Sequence, residues 1–366
     1  MSNKSIYVTK PSLPPFEEYV KEIASIWDSG ILTNMGEKHK KLEDKLQSML
    51  ETNNISLYVN GHMALEAAIM AFKLSGEIIT TPFTFISTTQ AISRCGIKPV
   101  FCDIRYDNYT IDSKKIEKLI NKKTSAIIPV HVYGNICDYE EIEKIANKYN
   151  LKVIYDAAHA FGVKIDKVGV GNLGDASMFS FHATKVFNTI EGGAITYKDN
   201  KIKDKLNSIK NFGYSNNDSV NMIGFNAKMN EFQAAMGLCN LKYVKSNIKK
   251  REVLAKKYDN NLKNIKGIKL NSAQNGIKGN YSYYPIVFEE YKYSRDEIYE
   301  KLIQNNIFSR KYFYPLTNAF EYYRDKYKNV KNPIAEFVSK NILTLPMYSE
   351  LDEKIVDKIC NIITGI

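Results

Sequence analysis

Short runs of β-branched residues alternate with helical patterns through the middle of the chain, and this alternation constrains the fold most. The runs that predict strands cover residues 77–82, 98–104, 124–132, 151–159, 176–182 and 192–197. Helical periodicity occupies residues 85–96 and 139–150 between them. Strands that alternate with helices are typical of a mainly parallel sheet with helices on both faces. The pattern therefore predicts an α/β fold around a mainly parallel, mixed sheet.

The pattern changes near Asn230, from which a long helical stretch runs to about Leu262. A strand over residues 281–288 and helices over 294–306 and 355–363 follow. A chain of 366 residues is long enough for more than one domain. We interpret residues 1–240 as a large α/β domain and residues 241–366 as a smaller C-terminal α+β domain, linked by the long helix.

The chain carries 51 Lys and Arg against 40 Asp and Glu, a formal net charge of +11. Such an excess indicates either a nucleic-acid or membrane surface, or basic residues spread over solvated helices. In residues 240–266 the basic residues are interleaved with acids and apolar residues, which favours the second interpretation. A positive field would also attract anionic small molecules, nucleotide sugars among them.

The five cysteines are scattered without a CxxC motif, so we expect neither a disulfide framework nor a metal site. The N-terminal segment lacks the apolar core of a signal peptide. No apolar run reaches the ~18–20 residues that span a bilayer. These features predict a cytoplasmic protein that binds neither membrane nor nucleic acid.

In parallel sheets, binding sites form at the carboxyl ends of the strands. The residues that follow predicted strands here are Phe83–Phe85, His131, Asp156, His159 and Ser180–Lys185. The polar side chains of this set are the candidates for chemistry.

Lys185 and Asp156 together indicate a cofactor. A lysine is usually a surface charge, but Lys185 follows an apolar strand and precedes a Gly-Gly pair. A desolvated amine there has a lowered pKa and can form a Schiff base with an aldehyde. Asp156 ends the apolar run VIYD, where an unpaired carboxylate is costly, so it needs a cation or serves as a helix N-cap. A lysine amine with a carboxylate for a pyridinium nitrogen is the signature of pyridoxal phosphate.

A phosphate group would need donors, and residues 58–72 (YVNGHMALEAAIMAF) supply a glycine turn followed by a helix. The backbone N–H groups of Gly61, His62 and Met63 would form an anion site at that helix N-terminus. The Ser180 hydroxyl could add a donor. Phe85 could stack on a cofactor ring, or it could be an ordinary core aromatic.

Motifs along nearly the whole chain carry a family resemblance. They are PSLPPFEEY, GILTNMG, NGHMALEAAI, TPFTFISTTQAI, IIPVHVYG, DAAHAFG, SFHATKVFNTIEGGAI, GFNAKMNEFQAAMG, SRKYFYPL and ILTLPMY. With them the chain resembles the DegT/StrS family of nucleotide-sugar aminotransferases. These are pyridoxal-phosphate enzymes of the aspartate aminotransferase type, also called PLP-dependent transferase fold type I. The SFHATKVFNTIEGGAI segment is the most specific of the matches.

The resemblance implies a role for each matching residue. Lys185 would be the catalytic lysine that binds the cofactor and then moves the proton, and Asp156 would pair with the pyridinium nitrogen. His159 would lie near the ring oxygen or stack on the ring, and Phe85 would occupy the aromatic stacking position. The residues implied for the phosphate are Gly61, His62 and Ser180, together with Asn226, which would reach the phosphate of the neighbouring subunit. The last contact implies a homodimer with shared active sites.

The chain departs from the family pattern at two positions. Asn60, Gly61 and His62 stand where the family usually has Ser-Gly-Thr, so a side-chain hydroxyl contact to phosphate is lost. Thr317 replaces a common histidine after the YPL motif. For His182 we favour a structural hydrogen bond over a catalytic role.

The resemblance also implies the reaction. L-Glutamate would donate its amino group to the cofactor, which becomes pyridoxamine phosphate and passes the group to a nucleotide-linked keto-sugar. The Lys185 segment favours dTDP-4-keto-6-deoxy-D-glucose as acceptor and dTDP-4-amino-4,6-dideoxy-D-glucose as product, for O-antigen (lipopolysaccharide) or related glycans. A 3-keto-sugar or a UDP- or GDP-sugar is the alternative, and a DNA-binding regulator is a remote one. Retention of Lys185 argues against deoxygenation.

Candidate substrate contacts follow the same resemblance. Arg310 would pair with the diphosphate, or it is a surface arginine. Tyr312 and Tyr314 would line the sugar pocket, or they pack in the core. Thr33 and Asn34 would lie at the mouth of the site.

Overall fold

The computed structural model describes residues 5–166, 168–215, 219–271 and 273–365. Its strands are β1 (Ile6–Tyr7), β2 (Ile55–Tyr58), β3 (Glu77–Thr80), β4 (Lys98–Phe101), β5 (Thr124–Ile127), β6 (Lys152–Asp156), β7 (Lys164–Ile165), β8 (Val168–Gly169), β9 (Ala176–Ser180), β10 (Gly193–Tyr197), β11 (Ile268–Leu270), β12 (Ile277–Lys278), β13 (Tyr284–Phe288), β14 (Ile307–Phe308) and β15 (Ile342–Leu345). Its α-helices are α1 (Phe16–Ser29), α2 (Glu37–Leu50), α3 (Gly61–Ala71), α4 (Ile86–Arg94), α5 (Ser113–Ile116), α6 (Tyr139–Tyr149), α7 (Lys203–Ile209), α8 (Glu231–Leu241), α9 (Val244–Leu262), α10 (Arg295–Gln304), α11 (Glu321–Tyr327), α12 (Pro333–Asn341) and α13 (Glu353–Thr364).

A seven-stranded sheet forms the centre of the fold, in the order β2-β10-β9-β6-β5-β3-β4. The pairs from β9 to β4 are all parallel, whereas β10 runs antiparallel to both β2 and β9. The predicted α/β fold with a mainly parallel, mixed sheet is therefore confirmed. Each of the six predicted strands of the alternating region is present, shortened at one end or, for residues 151–159, at both.

Both faces of this sheet are covered. Successive residues of a strand point to opposite faces, so burial of neighbouring side chains shows that each face is packed. In β3, Ile78 packs in the cluster that contains α3, while Ile79 packs in the cluster that contains α6. In β9, Met178 joins the α3 cluster and Phe179 packs on the opposite face with residues of α2 and α8. All four side chains are buried. This double burial explains why the strands read as continuous apolar runs.

A second, smaller sheet lies in the C-terminal part of the chain. Strands β11, β13 and β15 pair antiparallel, and α9, α10 and α13 pack against them. Strand β1 pairs in parallel with β14, and the Met347 N–H donates to the Val8 carbonyl at 2.9 Å. The first strand of the chain thus associates with the C-terminal region, across the domain boundary predicted near residue 240. A strand of two residues is too short to show a periodic pattern, so the sequence did not predict β1.

The single long helix expected from Asn230 to about Leu262 is wrong, because the structure has two helices, α8 and α9. Between them, the N–H groups of Lys242 and Tyr243 bond three residues back, to the carbonyls of Cys239 and Asn240. The side chains of Lys242 and Tyr243 both bind the Glu18 carboxylate of α1. This tertiary anchor accompanies the break in a segment whose own sequence favours helix.

None of the helices in the described ranges combines the length and apolar character needed to cross a bilayer.

Helices α2 and α8 approach closely at Gly237. A Cβ added at Gly237 would lie 2.9 Å from Leu42 Cδ2 and 2.8 Å from Thr189 Cγ2. Since these distances are shorter than van der Waals contact, only glycine fits without movement. Thr189 belongs to the segment that carries Lys185, so this contact also supports the candidate site.

We expect Gly237→Ala to lower the free energy of unfolding by about 1–3 kcal/mol, the usual cost of overpacking. Alanine is normally the better helix former by ~1 kcal/mol, so helix propensity alone predicts the opposite sign. Urea unfolding followed by circular dichroism measures the change. Leu42→Ala removes one clashing side chain, so the double variant should lose less than the sum of the single losses. A more stable Gly237→Ala protein would contradict this account of the contact.

Candidate active site

A cleft of about 570 Å³ opens at the edge of the central sheet where β6 and β9 end. The predicted site residues that line it are Gly61, His62, Phe85, Asp156, His159, Ser180, Lys185, Arg310 and Tyr312. Parallel pairing sets Asp156 of β6 beside Met178 of β9, so Ser180 lies two residues further along the neighbouring strand. The cleft thus lies where the carboxyl-end rule, that sites form at the carboxyl ends of parallel strands, predicts it.

Helix α3 begins at one end of the cleft. Asn60 caps it, and its side-chain oxygen accepts from the Met63 N–H at 2.9 Å. The expectation that Met63 donates to an anion is therefore wrong, because the N-cap already occupies its N–H. Within the described chain, the N–H groups of Gly61 and His62 contact no acceptor. These two donors point outward from the helix N-terminus and can bind an anion.

The backbone packs closely at this end, and glycine makes that possible. A Cβ on Gly193 would lie 2.5 Å from the Gly61 nitrogen, and a Cβ on Gly192 would lie 2.0 Å from Thr189 Oγ1. Gly193 therefore lets the start of β10 lie against the start of α3, and Gly192 lets the chain pass close to Thr189. A Cβ on Gly61 would lie 3.0 Å from Ser180 Cβ, which shows how near the serine is to the helix N-terminus.

Two buried phenylalanines hold the segment that carries Lys185. Phe181 and Phe187 pack with Phe161, with ring centroids 4.6–5.7 Å apart. The Phe181 N–H also donates to the Gly192 carbonyl at 2.7 Å. The segment is therefore fixed on both sides of Lys185, whose backbone lies between the two rings in sequence.

The Lys185 side chain reaches into the cleft from this segment. Its Nζ lies 5.7 Å from the centroid of the Tyr283 ring, and no acceptor in the described part of the chain is within hydrogen-bonding distance of it. Burial lowers the pKa of the amine to about 8, against the opposing charges of Asp156 and Tyr312, which raise it. The amine therefore changes protonation state near neutral pH.

Asp156 presents a buried carboxylate to the same cleft. The Thr88 hydroxyl donates to its Oδ2 at 2.7 Å, and the Ala158 N–H donates to its Oδ1 at 3.1 Å. Burial raises the pKa of Asp156, while these two hydrogen bonds and the charge of Lys185 act to lower it. Two neutral donors do not neutralise a buried anion, so the carboxylate is suited to pair with a cation inside the cleft.

His159 has one ring nitrogen occupied by the backbone. The Tyr133 N–H donates to Nδ1 at 3.1 Å, so Nδ1 is an acceptor. Burial, with a smaller effect of Lys185, holds the pKa of His159 well below its ordinary value, so the ring is neutral. A neutral imidazole with Nδ1 as acceptor carries its proton on Nε2. His159 therefore offers an N–H donor as well as a ring face.

The residues of the cleft fit pyridoxal phosphate. Phe85 leaves 54% of its surface exposed although it lines the cleft, which provides an uncovered ring for stacking. The Asp156 carboxylate can accept from a protonated ring nitrogen, and the helix N-terminus with Ser180 can hold a phosphate. Lys185 has an amine of lowered pKa in the same cavity. The donor set thus matches a flat cationic ring with an anionic tail.

The mouth of the cleft is formed by Arg310 and Tyr312. The Arg310 guanidinium donates to the Tyr312 hydroxyl, and its Cζ lies 5.2 Å from the Tyr312 ring. Tyr314 does not line the cleft, and its exposed ring lies 4.9 Å from the Arg295 guanidinium.

Three other predicted residues are not brought to the cleft by this single chain. They are Thr33, Asn34 and Asn226. All three are exposed on the surface. Their assigned roles stay predictions, and only the role of Asn226 was expected to involve another subunit.

The two residues left open by the sequence have structural contacts. The His182 ring is hydrogen bonded through Nδ1 to Thr184 Oγ1 at 2.8 Å, and its Nε2 lies 3.4 Å from Glu191. Thr317 is buried, and its hydroxyl accepts from Thr89 at 2.9 Å. The hydrogen bond favoured for His182 is therefore present, although the ring also lines the cleft.

Among the residues that sequence reasoning missed, Ser87, Tyr283 and Phe313 line the cleft, and Thr88 binds the Asp156 carboxylate. Ser87 and Thr88 lie in the first turn of α4, directly after Phe85. Because Phe85 was already a predicted site residue, the start of the helix that follows it could have indicated them. Tyr283 and Phe313 come from the C-terminal region, where the aromatic clusters YSYYP and KYFYP were visible without indicating which ring turns inward.

Lys185 should react with a small aldehyde at a rate that rises with pH and is half-maximal near pH 8, because the pKa of its amine is lowered to about 8. Reductive trapping and peptide mass spectrometry report each lysine separately. Asp156→Asn removes a charge that raises this pKa, so the midpoint should move to lower pH. Lys210 is a control, since burial also lowers its pKa to about 8 but its side chain is inaccessible. Equal midpoints in the two proteins would contradict the coupling of Lys185 to Asp156.

Comparisons with known proteins agree with this geometry. The profile of the DegT/DnrJ/EryC1/StrS aminotransferase family matches residues 16–364. The dTDP-4-amino-4,6-dideoxy-D-glucose transaminase of Shigella dysenteriae is 44% identical over 366 residues, covering 99% of both chains. The Escherichia coli protein of the same name is 44% identical over 370 residues, covering 100% of both. The crystal structure of DesI in the presence of its TDP-sugar product superposes with a TM-score of 0.94 at 28% identity, over 98% of this chain and 92% of DesI. The chain belongs to the DegT/DnrJ/EryC1/StrS aminotransferase family.

Proposed function

We propose that this protein transfers the amino group of L-glutamate to dTDP-4-keto-6-deoxy-D-glucose and releases dTDP-4-amino-4,6-dideoxy-D-glucose. The observation that carries the proposal is 44% identity, over 99–100% of both chains, to two transaminases named for this product. The TDP-sugar in the DesI structure supports the same nucleotide. No support for the DNA-binding alternative comes from these relatives. The product would enter O-antigen or a related glycan, and the free thiols of the five cysteines fit a cytoplasmic reaction.

Pyridoxal phosphate is the cofactor of the family, and when bound it withdraws electrons from the carbon that exchanges the amino group. Asp156 would hold the ring nitrogen in its protonated form. Phe85 would cover one face of the ring, and His159 would donate from Nε2 or stack on the other face. The phosphate would lie against the Gly61 and His62 N–H groups and the Ser180 hydroxyl.

Lys185 would act as both the attachment point and the proton carrier. General acid–base groups work best when their pKa is close to the working pH. Burial lowers the pKa of Lys185 to about 8, so the amine can both accept and release a proton under physiological conditions. The fixed segment between Phe181 and Phe187 keeps the amine in the cleft as it does so.

Arg310 and Tyr312 would receive the nucleotide sugar. Guanidinium groups form strong, paired hydrogen bonds with phosphate oxygens, and Arg310 is exposed at the mouth. The diphosphate would replace part of the contact between Arg310 and the Tyr312 hydroxyl. The net charge of +11 would favour the approach of such an anion.

We further propose a homodimer with shared active sites. Large apolar side chains are exposed near Asn226, among them Ile223 at 84% and Phe212 at 49%. Exposed apolar groups of this size indicate a surface that another protein covers. A second copy would bury them and carry Asn226 to the phosphate of the opposite site. Thr33 and Asn34 would lie at the mouth, in keeping with their exposure.

Purified protein with pyridoxal phosphate should show a visible absorbance band that Lys185→Ala lacks. After desalting, L-glutamate should bleach the band, and dTDP-4-keto-6-deoxy-D-glucose should restore it, because the two substrates react in turn. Mass spectrometry of the nucleotide product identifies the amine. Restoration by a UDP- or GDP-linked keto-sugar alone would move the acceptor to another nucleotide, and absence of a band in the wild type would refute the proposal.

Mixing two inactive variants should recover activity if the sites are shared. Lys185→Ala and Asn226→Ala each damage both sites of their own dimer, but a hybrid dimer has one intact site. Random exchange of subunits should therefore restore about a quarter of wild-type activity. Steady-state assays after brief denaturation and refolding of the mixture measure it, with each variant treated alone as control. No recovery in confirmed hybrid dimers would show that Asn226 serves its own subunit.

A further inference from the structure

His62 cannot use its ring to hold a phosphate in the arrangement that the structure shows. Its Nδ1 lies 2.8 Å from Ser87 Oγ, and its Nε2 lies 2.8 Å from Glu66 Oε1. Both ring nitrogens are thus engaged, and only the backbone N–H of His62 is left for an anion. The ring instead connects a hydroxyl that lines the cleft with a carboxylate that lies behind it.

Glu66 determines which nitrogen carries a proton. It lies one turn after His62 in α3 and is 4% exposed. Its Oε1 also accepts from Arg94 Nε at 2.5 Å. Burial acts to raise the pKa of Glu66, but the hydrogen bonds from His62 and Arg94 outweigh it and hold the pKa below its ordinary value. An ionised carboxylate only accepts hydrogen bonds, so His62 Nε2 must be the donor.

The direction of the second hydrogen bond then depends on the charge of the ring. In a neutral imidazole with a proton on Nε2, Nδ1 is an acceptor, so the Ser87 hydroxyl donates to it. Only the lone pairs of Ser87 then face the cleft, and they repel an anion. In the imidazolium, Nδ1–H donates to Ser87 Oγ, and the serine proton is free to point into the cleft.

We propose that Ser87 donates a hydrogen bond to the phosphate of the cofactor, and that His62, oriented by Glu66, takes up a proton when the phosphate binds. The inference rests on the proposed function. One N–H bond forms at Nδ1, with the proton drawn from solvent, and the Ser87 hydroxyl turns from the ring to the phosphate. The pair would replace the threonine hydroxyl that the family usually has at position 62.

Other charged groups surround the relay that Ser87, His62 and Glu66 form. Glu66 on α3 and Arg94 on α4 lie behind the ring. On the cleft side, the segment after β9 contributes His182, Lys185 and Glu191, and β6 contributes Asp156. All of these remain in a His62→Thr variant, and so does the ionisation of the phosphate itself. The difference between wild type and His62→Thr therefore reports the imidazole together with its effect on Glu66, whose pKa it helps to lower.

The test compares pyridoxal phosphate with pyridoxal, which lacks the phosphate, in equilibrium binding followed by absorbance. Ser87→Ala should weaken the binding of pyridoxal phosphate by about tenfold to a hundredfold, which is the effect of losing a hydrogen bond to a charged group. The affinity for pyridoxal should not change. Ser87→Thr keeps the hydroxyl and should bind like the wild type. In the His62→Thr background, Ser87→Ala should cause a smaller loss of affinity for pyridoxal phosphate, because threonine supplies its own hydroxyl.

Proton uptake gives a second, independent measurement. Calorimetry in buffers of different ionisation enthalpy counts the protons taken up, from about pH 5 to pH 8, where histidine titrates. Wild type should take up more protons per pyridoxal phosphate than His62→Thr, and its affinity should fall more steeply as pH rises, by at most about tenfold per pH unit.

Two results would overturn the proposed relay. One is equal proton uptake in wild type and His62→Thr, and the other is an equal loss of affinity for pyridoxal phosphate and for pyridoxal in Ser87→Ala. Far-UV circular dichroism and thermal melting confirm that each variant is folded. Failure of the wild type to bind pyridoxal phosphate would refute the proposed function itself, so the two failures are distinguishable.

Discussion

The active cleft depends on a carboxylate, Asp156, buried at the end of a central parallel strand. Burial of a charge without compensation is costly, so the surrounding structure must supply it. Thr88 and Ala158 donate to the two carboxylate oxygens, and Lys185 contributes the opposing charge in the same cavity. The same proximity adjusts the amine, because burial lowers the pKa of Lys185 while Asp156 raises it. The burial of Asp156 beside Lys185 thus provides both a site suited to a cationic ring and an amine that titrates near neutral pH.

Much of the fold and the centre of the site could be predicted, because both depend on local patterns. The alternation of apolar strands and amphipathic helices determines the order of the elements, and the carboxyl-end rule then locates Asp156 and Ser180 at one edge. The break between α8 and α9 could not be predicted, since the side chains of Lys242 and Tyr243 meet Glu18, more than 200 residues away in sequence. Strand β1 is a similar case, as its partner lies near the other end of the chain.

The residues that were missed or misassigned have two different causes, one local and one long-range. The Met63 N–H was expected to bind an anion, but whether a helix donor is free depends on the side chain that caps the helix, which is Asn60 here. Tyr283 reaches the cleft only through the packing of the C-terminal region against the central sheet. The His62 ring likewise depends on Ser87, which a different helix provides. The Asn60 cap is only three residues from Met63 and could have been recognised in the sequence. The contacts of Tyr283 and of the His62 ring join residues distant in sequence, which leave no periodic signal.

The two ends of the cleft come from different parts of the chain, and in our proposal one would hold the cofactor and the other the nucleotide sugar. The cofactor end is built by strand ends and helix starts of the central sheet, where Gly192 and Gly193 permit contacts too close for any other residue. The mouth is built by Arg310 and Tyr312 on a loop that joins the small sheet through the backbone pairing of Arg310 with Thr344. The two ends are nevertheless coupled, because Phe313 of that loop stacks on His159 with ring centroids 6.0 Å apart, and Tyr312 acts to raise the pKa of Lys185. If the loop contacts the nucleotide sugar as we propose, a change of sugar through this loop would also have to preserve the surroundings of His159 and Lys185.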